Sequence, residues 1–206
     1  MWIYVFLCYY LYLSIYVFNS MFKIKKTIII LSTVVFLSEF INANTNSSNR
    51  IIVDISEQRL YLFEKDILKL SFPVSTSKYG EGSIENSYKT PLGSHKIKDK
   101  IGTNVLINTI FIARENTNRL ATIINEKIDS DDDFVTSRIL WLEGLEDGIN
   151  KGSGVDSYDR YIYIHGTHEE GLVGQKASHG CIRMFNQDVI YLYDKVEEGT
   201  KVLIRI

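Results

Sequence analysis

Tyr161-Ile162-Tyr163-Ile164-His165-Gly166-Thr167, followed further on by Ser178-His179-Gly180-Cys181-Ile182-Arg183-Met184, is the stretch around which the rest of this chain is organised. Tyr161 to Ile164 reads as a buried strand with His165 at its end, where a rigid element can hold a reactive side chain. Cys181 comes sixteen residues after His165, enough for a strand to end, a loop to cross and the cysteine to return against it. A thiol near its ordinary pKa of about 8.5 is mostly protonated at neutral pH, so a nucleophilic cysteine needs a base, a cation or oriented dipoles beside it. His165 and His179 are the bases at hand, and in an extended segment His179 faces the same side as Cys181. Gly180 lets a carbonyl approach the backbone and permits an unusual φ. The N–H groups of Gly180 and Cys181 are then expected to face a tetrahedral oxyanion, worth roughly 3 to 4 kcal/mol per donor. Arg183 offers a planar fork to a substrate carboxylate, with a structural salt bridge as the alternative.

Outward from this stretch the chain is rich in strand signals. Arg50 to Ile55 and Arg59 to Phe63 are β-branched or alternating runs joined by Ser56-Glu57-Gln58, and Ile67 to Val74 continues them as a meander. Thr90-Pro91-Leu92-Gly93 is a turn signal opening a strand from His95 to Ile101. Asn104 to Ala113, Val135 to Leu142 and Thr200 to Ile206 are further strand candidates. Leu120, Ile123, Ile124 and Ile128 fall at helical spacing and predict a short amphipathic helix before Asp131-Asp132-Asp133. That acidic run reads as a solvated loop, since the alternating ligands and glycine of a calcium loop are missing. Asn186 reads as the N-cap of a helix in which Val189, Ile190, Tyr193 and Val196 share a face. Tyr161 and Tyr163 read as core residues of their strand, and His95 and His168 as structural histidines. The sum predicts a mostly β fold, sandwich-like with curved mixed sheets and two or three short helices, with strands from both ends of the chain contributing.

Composition narrows the function. The 206 residues include 23 basic and 25 acidic ones, a formal net charge of -2, with no stripe of lysines or arginines to neutralise phosphates, so nucleic acid is not expected as a partner. Residues 1–43 read as a hydrophobic leader. An uncharged run from Met1 to Phe18 precedes Lys23, Lys25 and Lys26, and a second apolar run spans Thr27 to Leu37. The second unit has the order of a secretory signal starting at Met21 and cleaved after Ala43, with a membrane hairpin as the alternative. Residues 44–49 read as a short polar linker and 50–206 as the functional domain, exported to the periplasm or cell envelope and touching membrane only through the leader. Removing three lysines and Glu39 takes the net charge from -2 to -4. The exported part then holds Cys181 as its one cysteine, which cannot form an internal disulfide. A lone thiol is often only a small buried hydrophobe.

The local sequence favours chemistry. Ile164-His165-Gly166-Thr167, then Gly174-Gln175, then Ser178 to Met184 with Asn186, resembles the signature of L,D-transpeptidase catalytic domains of the YkuD/ErfK type. Thr90 to Gly93 and the opening strands with Gln58 also look like that family's earlier blocks, whereas Asn104 to Asp133 matches less clearly. The resemblance implies cysteine acyl transfer on peptidoglycan stem peptides. Cys181 would attack the carbonyl of the third residue of a tetrapeptide donor, expel the terminal D-alanine, and pass the acyl group to an amine. An amine on another stem gives a 3-3 cross-link, the amine of a wall-anchored lipoprotein gives anchoring, and water in place of an amine gives an L,D-carboxypeptidase. It further implies that His165 is the base, that His179 shapes the site, and that Ser178, Gly180 and Gly166 hold the loop and the oxyanion. Arg183, Thr167 and Asn186 would contact substrate, and no cofactor or metal is called for. Two rivals are a zinc hydrolase using His165, His168, His179 and Cys181, and a catalytically silent wall-binding module.

Overall fold

A computed structural model describes residues 49–206, so the expected leader and nearly all of the linker lie outside the described residues. β1 (Arg50–Asp54), β2 (Arg59–Glu64) and β3 (Ile67–Pro73) form the antiparallel meander. β10 (Lys201–Arg205) lies parallel to β1, so segments from distant parts of the chain meet mid-sheet. β4 (Gly93–Ile101) runs antiparallel to β10, β7 (Val135–Gly144) to β4, and β8 (Tyr163–Thr167) to β7. β9 (Ile182–Met184) is parallel to β8. A hairpin of β5 (Thr109–Ile112) and β6 (Glu115–Leu120) attaches to the start of β7. The chain leaving β3 then crosses to β9, where the Ser75 N–H donates to the Arg183 carbonyl at 2.8 Å and the Arg183 N–H to the Ser75 carbonyl at 2.9 Å. That bridge joins the two ends of the strand path, and the curved mixed sheet expected from the strand runs is what the mostly β chain forms.

Strand alternation decides what faces the site. In β1 and β10, alternate residues such as Ile51, Val53, Val202 and Ile204 are buried in one core with Leu60, Ile97 and Val74. β7 is buried almost throughout because both its faces are covered. Leu140 and Leu142 enter the main core, while Ile139 and Trp141 belong to a second cluster with Phe111 and Tyr163. The same parity holds in β8 and β9. Ile162, Ile164, Ile182 and Met184 point into the main core, which leaves Tyr163, His165, Cys181 and Arg183 together on the opposite face. Helix α1 (Asn186–Lys195) closes the main core with Val189, Leu192 and Tyr193.

Several local expectations are corrected. Among the described residues there is one α-helix, with a single 3-10 turn at Glu170–Leu172. The helix expected around Leu120 to Ile128 does not form: Leu120 ends β6 and the residues after it run irregularly. The Ile124 N–H donates to the His168 carbonyl and the Ile124 carbonyl accepts from the Gly171 N–H, so long-range partners take the groups a helix would pair internally. Leu120 and Ile128 are more than half exposed, so the helical spacing there marks no buried face. The strand expected from Asn104 begins only at Thr109, after turns. His165 sits in the middle of β8, not at its end, and Tyr161 precedes the strand, exposed and with φ of 58°. Asn186 is the first helical residue, not the cap; the cap position is Phe185 and carries no side-chain bond.

Candidate active site

β8 and β9 run parallel with His165 beside Arg183 and Ile164 beside Ile182, and the same register places Cys181 beside Tyr163. Tyr163 donates its backbone N–H to the Cys181 sulfur at 3.4 Å, and the thiol donates to the Tyr161 carbonyl at 3.3 Å. The loop before β9 is held from below. Ser178 Oγ donates to the Cys181 carbonyl at 2.6 Å and accepts the Gly180 N–H at 3.3 Å, and Thr90 Oγ1 donates to the Gly180 carbonyl at 3.0 Å. The Gly180 N–H is thus turned onto Ser178 and not into an open oxyanion site. Gly180 has φ of 120°, while an added Cβ would meet only ordinary contacts, so glycine is required there for its backbone conformation and not for space.

His165 is buried, and its Nδ1 lies 2.7 Å from the Gly166 carbonyl. That bond fixes the proton on Nδ1 and leaves Nε2 as the basic nitrogen. His165 lies one diagonal from Cys181 on the same face, without a direct hydrogen bond between them. Burial pushes His165 down to about 4, against a pull upward from Asp133 and the Gly166 carbonyl, so the ring is neutral at pH 7. Burial also pushes the Cys181 thiol up to about 12, with the Tyr163 N–H drawing it back and Asp133 raising it further. The resting pair is therefore neutral imidazole and neutral thiol, not an ion pair.

Sequence reasoning missed Asp133. It accepts from His179 Nδ1 at 2.8 Å and pairs with Arg183 Nη2 at 2.7 Å. Burial works to raise its carboxyl, but Arg183, His165 and His179 outweigh that and hold it below the usual carboxylate range. Asp131 to Asp133 are exposed, as the solvated reading expects, and the third member is in addition tied to His179 and Arg183. The usable signal was position: Asp133 stands just before β7, whose Val135 pairs with Thr167 on the strand carrying His165. Lys78 with Asp129, and Ser130 with Glu169 and His168, pin the same loop. The His179 ring also lies against Tyr79 and Tyr88, at 5.8 and 6.1 Å between centroids.

Three residues expected at the substrate are corrected to structural roles. Arg183 is 1% exposed, with Nη1 on Glu169 at 2.8 Å and Nη2 on Asp133, which is the salt-bridge alternative and not an open fork. Asn186 is buried, accepts from Thr136 and Ser137, and donates to the Thr167 carbonyl and Glu170. Thr167 is buried, its hydroxyl accepting the Glu169 N–H at 3.1 Å. Gly166 supports this knot: a Cβ there would come within 2.5 Å of the Asn186 side-chain oxygen and 2.8 Å of the Thr136 carbonyl. His95 bonds the Gly93 carbonyl and Ser157, and His168 bonds Ser130, as structural histidines do.

Compared with known proteins, residues 48–204 match the model of the YkuD family, described as L,D-transpeptidase catalytic domain. Over 47 residues, 22% of this chain, the chain is 51% identical to YqjB of Bacillus subtilis, covering 27% of that protein. Over 45 residues it is 47% identical to ErfK/SrfK of Escherichia coli, covering 14% of it. Both carry L,D-transpeptidase in their names, and the aligned stretch spans about a quarter or less of each. Among solved structures, L,D-transpeptidase 3 from Mycobacterium tuberculosis, in complex with a faropenem-derived adduct, is similar at 14% identity and a TM-score of 0.48, over 77% of this chain and 60% of that one. An L,D-transpeptidase from Mycobacterium smegmatis is similar at 17% identity and a TM-score of 0.46, over 77% and 59%.

Proposed function

Because this chain belongs to the L,D-transpeptidase catalytic domain family, we propose that it is a cell-envelope acyltransferase in which Cys181 attacks a peptidoglycan stem peptide and His165 moves the proton. The observation that carries this reading is the shared face of β8 and β9, which brings the one described cysteine, unbridged, beside a neutral imidazole oriented through its Nδ1. In resting sites such pairs often close only when substrate is bound. Closure here requires the thiol to leave the Tyr161 carbonyl for His165.

As the sulfur adds to the carbonyl carbon of the third residue, Nε2 of His165 takes the thiol proton. The tetrahedral intermediate collapses, the peptide bond breaks, and the leaving amine of D-alanine takes that proton from His165. A thioester remains on Cys181. An acceptor amine then loses a proton to the same nitrogen and adds to the thioester, the new amide forms, and the thiol leaves with its proton restored. Residues 50–206 are proposed as the catalytic domain, and the substrate places its work outside the cytoplasm.

The test is mass spectrometry of the protein after incubation with a disaccharide tetrapeptide. The wild type is expected to carry an acyl adduct on Cys181 and to release D-alanine. Cys181→Ala and His165→Ala are each expected to lose both signals. Activity in His165→Ala equal to that of the wild type would sink the assignment of the base. Activity abolished by strong chelator but insensitive to thiol alkylation would point to the zinc alternative instead.

A further inference from the structure

A small hollow abuts the thiol. Its volume is about 150 Å³, and Glu85, Asp159, Arg160, Tyr161, Ile162 and His179 are in its wall. The junction is close, since the Tyr161 carbonyl accepts from the Cys181 thiol. Gly180, next to Cys181, sits where a Cβ would be 3.5 Å from Ile162 and 3.6 Å from the Tyr88 carbonyl. Sites that enclose a whole small ligand run to roughly 300 to 1,000 Å³. The hollow is therefore sized for one end group. A larger hollow of about 360 Å³ lies over β1, β4 and β10, and its wall includes neither Cys181 nor its neighbours.

Charge in the small hollow is mixed. Arg160, on the turn before β8, donates through Nη1 to the Gly82 carbonyl at 3.3 Å and through Nη2 to the Lys89 carbonyl at 2.7 Å. Those two bonds fix the plane of the guanidinium, and its other N–H groups meet no acceptor among the described residues. Glu85 and Asp159 are exposed acids on the same wall. No ion pair joins any of the three to another side chain among the described residues, unlike Arg183, which is closed between two carboxylates.

Resting on the acyl transfer proposed above, we propose that this hollow is a subsite for an amino-acid head group, a carbon that bears both a carboxylate and an ammonium. Arg160 takes the carboxylate, and Glu85 with Asp159 takes the ammonium. On a tetrapeptide donor such a group is the far end of a diamino dicarboxylic residue at the third position, the residue whose other carbonyl Cys181 attacks. A lysine there supplies the ammonium and leaves the Arg160 fork unfilled, and a carboxamide supplies a neutral acceptor in place of an anion. A site built to bond a polar group discriminates strongly against analogues lacking it.

The experiment compares the wild type, Arg160→Gln and Arg160→Met on three tetrapeptide donors. They differ only at the third residue: a diamino acid with a free side-chain carboxylate, its carboxamide, and lysine. Release of D-alanine is measured for kcat and KM. The wild type is expected to favour the free carboxylate by about 10- to 100-fold in kcat/KM, as a charge-assisted bond implies. Arg160→Gln is expected to bring that donor down to the carboxamide, chiefly through KM, with the other two little changed. A wild type with no preference overturns the subsite. So does an Arg160→Gln variant that slows all three donors alike, which would make Arg160 only a tether for the 82–89 loop. If Arg160→Gln does not fold, Arg160→Met, which keeps the apolar stem and removes the charge, takes its place: the preference intact overturns the subsite, and the preference lost supports it. A wild type that releases D-alanine from none of the three removes the acyl-transfer reading and the subsite with it.

Discussion

Arg183 and Asp133 show how far the role of one side chain can sit from its reading in the sequence. In the motif, Arg183 is an arginine two residues past a reactive cysteine, and a fork for substrate is the natural inference. In the fold it is a buried cation whose neighbour Glu169 has a fully buried side chain. Removing one partner of a buried pair leaves the other charge uncompensated, at a cost of about 3 to 5 kcal/mol. Arg183→Gln is therefore expected to lower the unfolding free energy by an amount of that order, read as a lower urea midpoint. An unchanged midpoint with a raised KM would return Arg183 to the substrate. The placing of Cys181 and His165 on neighbouring segments and the positive φ of Gly180 were legible, because their spacing and residue types are local. Asp133 was not, since its bond to His179 spans 46 residues and lies in a loop with no periodicity.

At the scale of elements, the strands were the readable part. β1, β2 and β10 are short apolar, largely β-branched or aliphatic runs bounded by charged residues, and burial alternates along most of each. The segment from 121 to 134 was misread because three isoleucines at helical spacing carry no information about long-range backbone partners. Its seat is Gly171, where a Cβ would fall 2.1 Å from the Glu126 carbonyl oxygen and 2.4 Å from its carbon. Both obstacles are backbone and cannot swing aside. Gly171→Ala is expected to cost about 1 to 3 kcal/mol, as overpacking does, and to speed proteolysis within residues 121–134. Cleavage at the wild-type rate would show that another contact holds this loop, the Lys78 to Asp129 pair being the next to test.

For the whole molecule, two buried histidines tie stability to pH. His95 and His165 are each held down to about 4 by burial, against an ordinary 6.5 in the unfolded chain. Below 6.5 the unfolded state takes up protons that the folded state refuses. Their contribution is thus fully present above about pH 6.5 and is lost as the pH falls toward about 4. Urea midpoints measured between pH 7.5 and 4.5 are expected to drop across that window, and His95→Gln is expected to flatten the drop. An unchanged slope in that variant would mean other groups carry it. The pairing of β1 with β10 has a separate consequence, in time. Asp54 and Arg205, bonded across those strands, lie 151 residues apart, and strands of such separation join slowly. During synthesis β1 has no parallel neighbour until almost all of the described chain has been made. β10 is the strand that joins β1 to β4, so the meander and the rest of the sheet stay separate until the last stretch of the described chain has emerged.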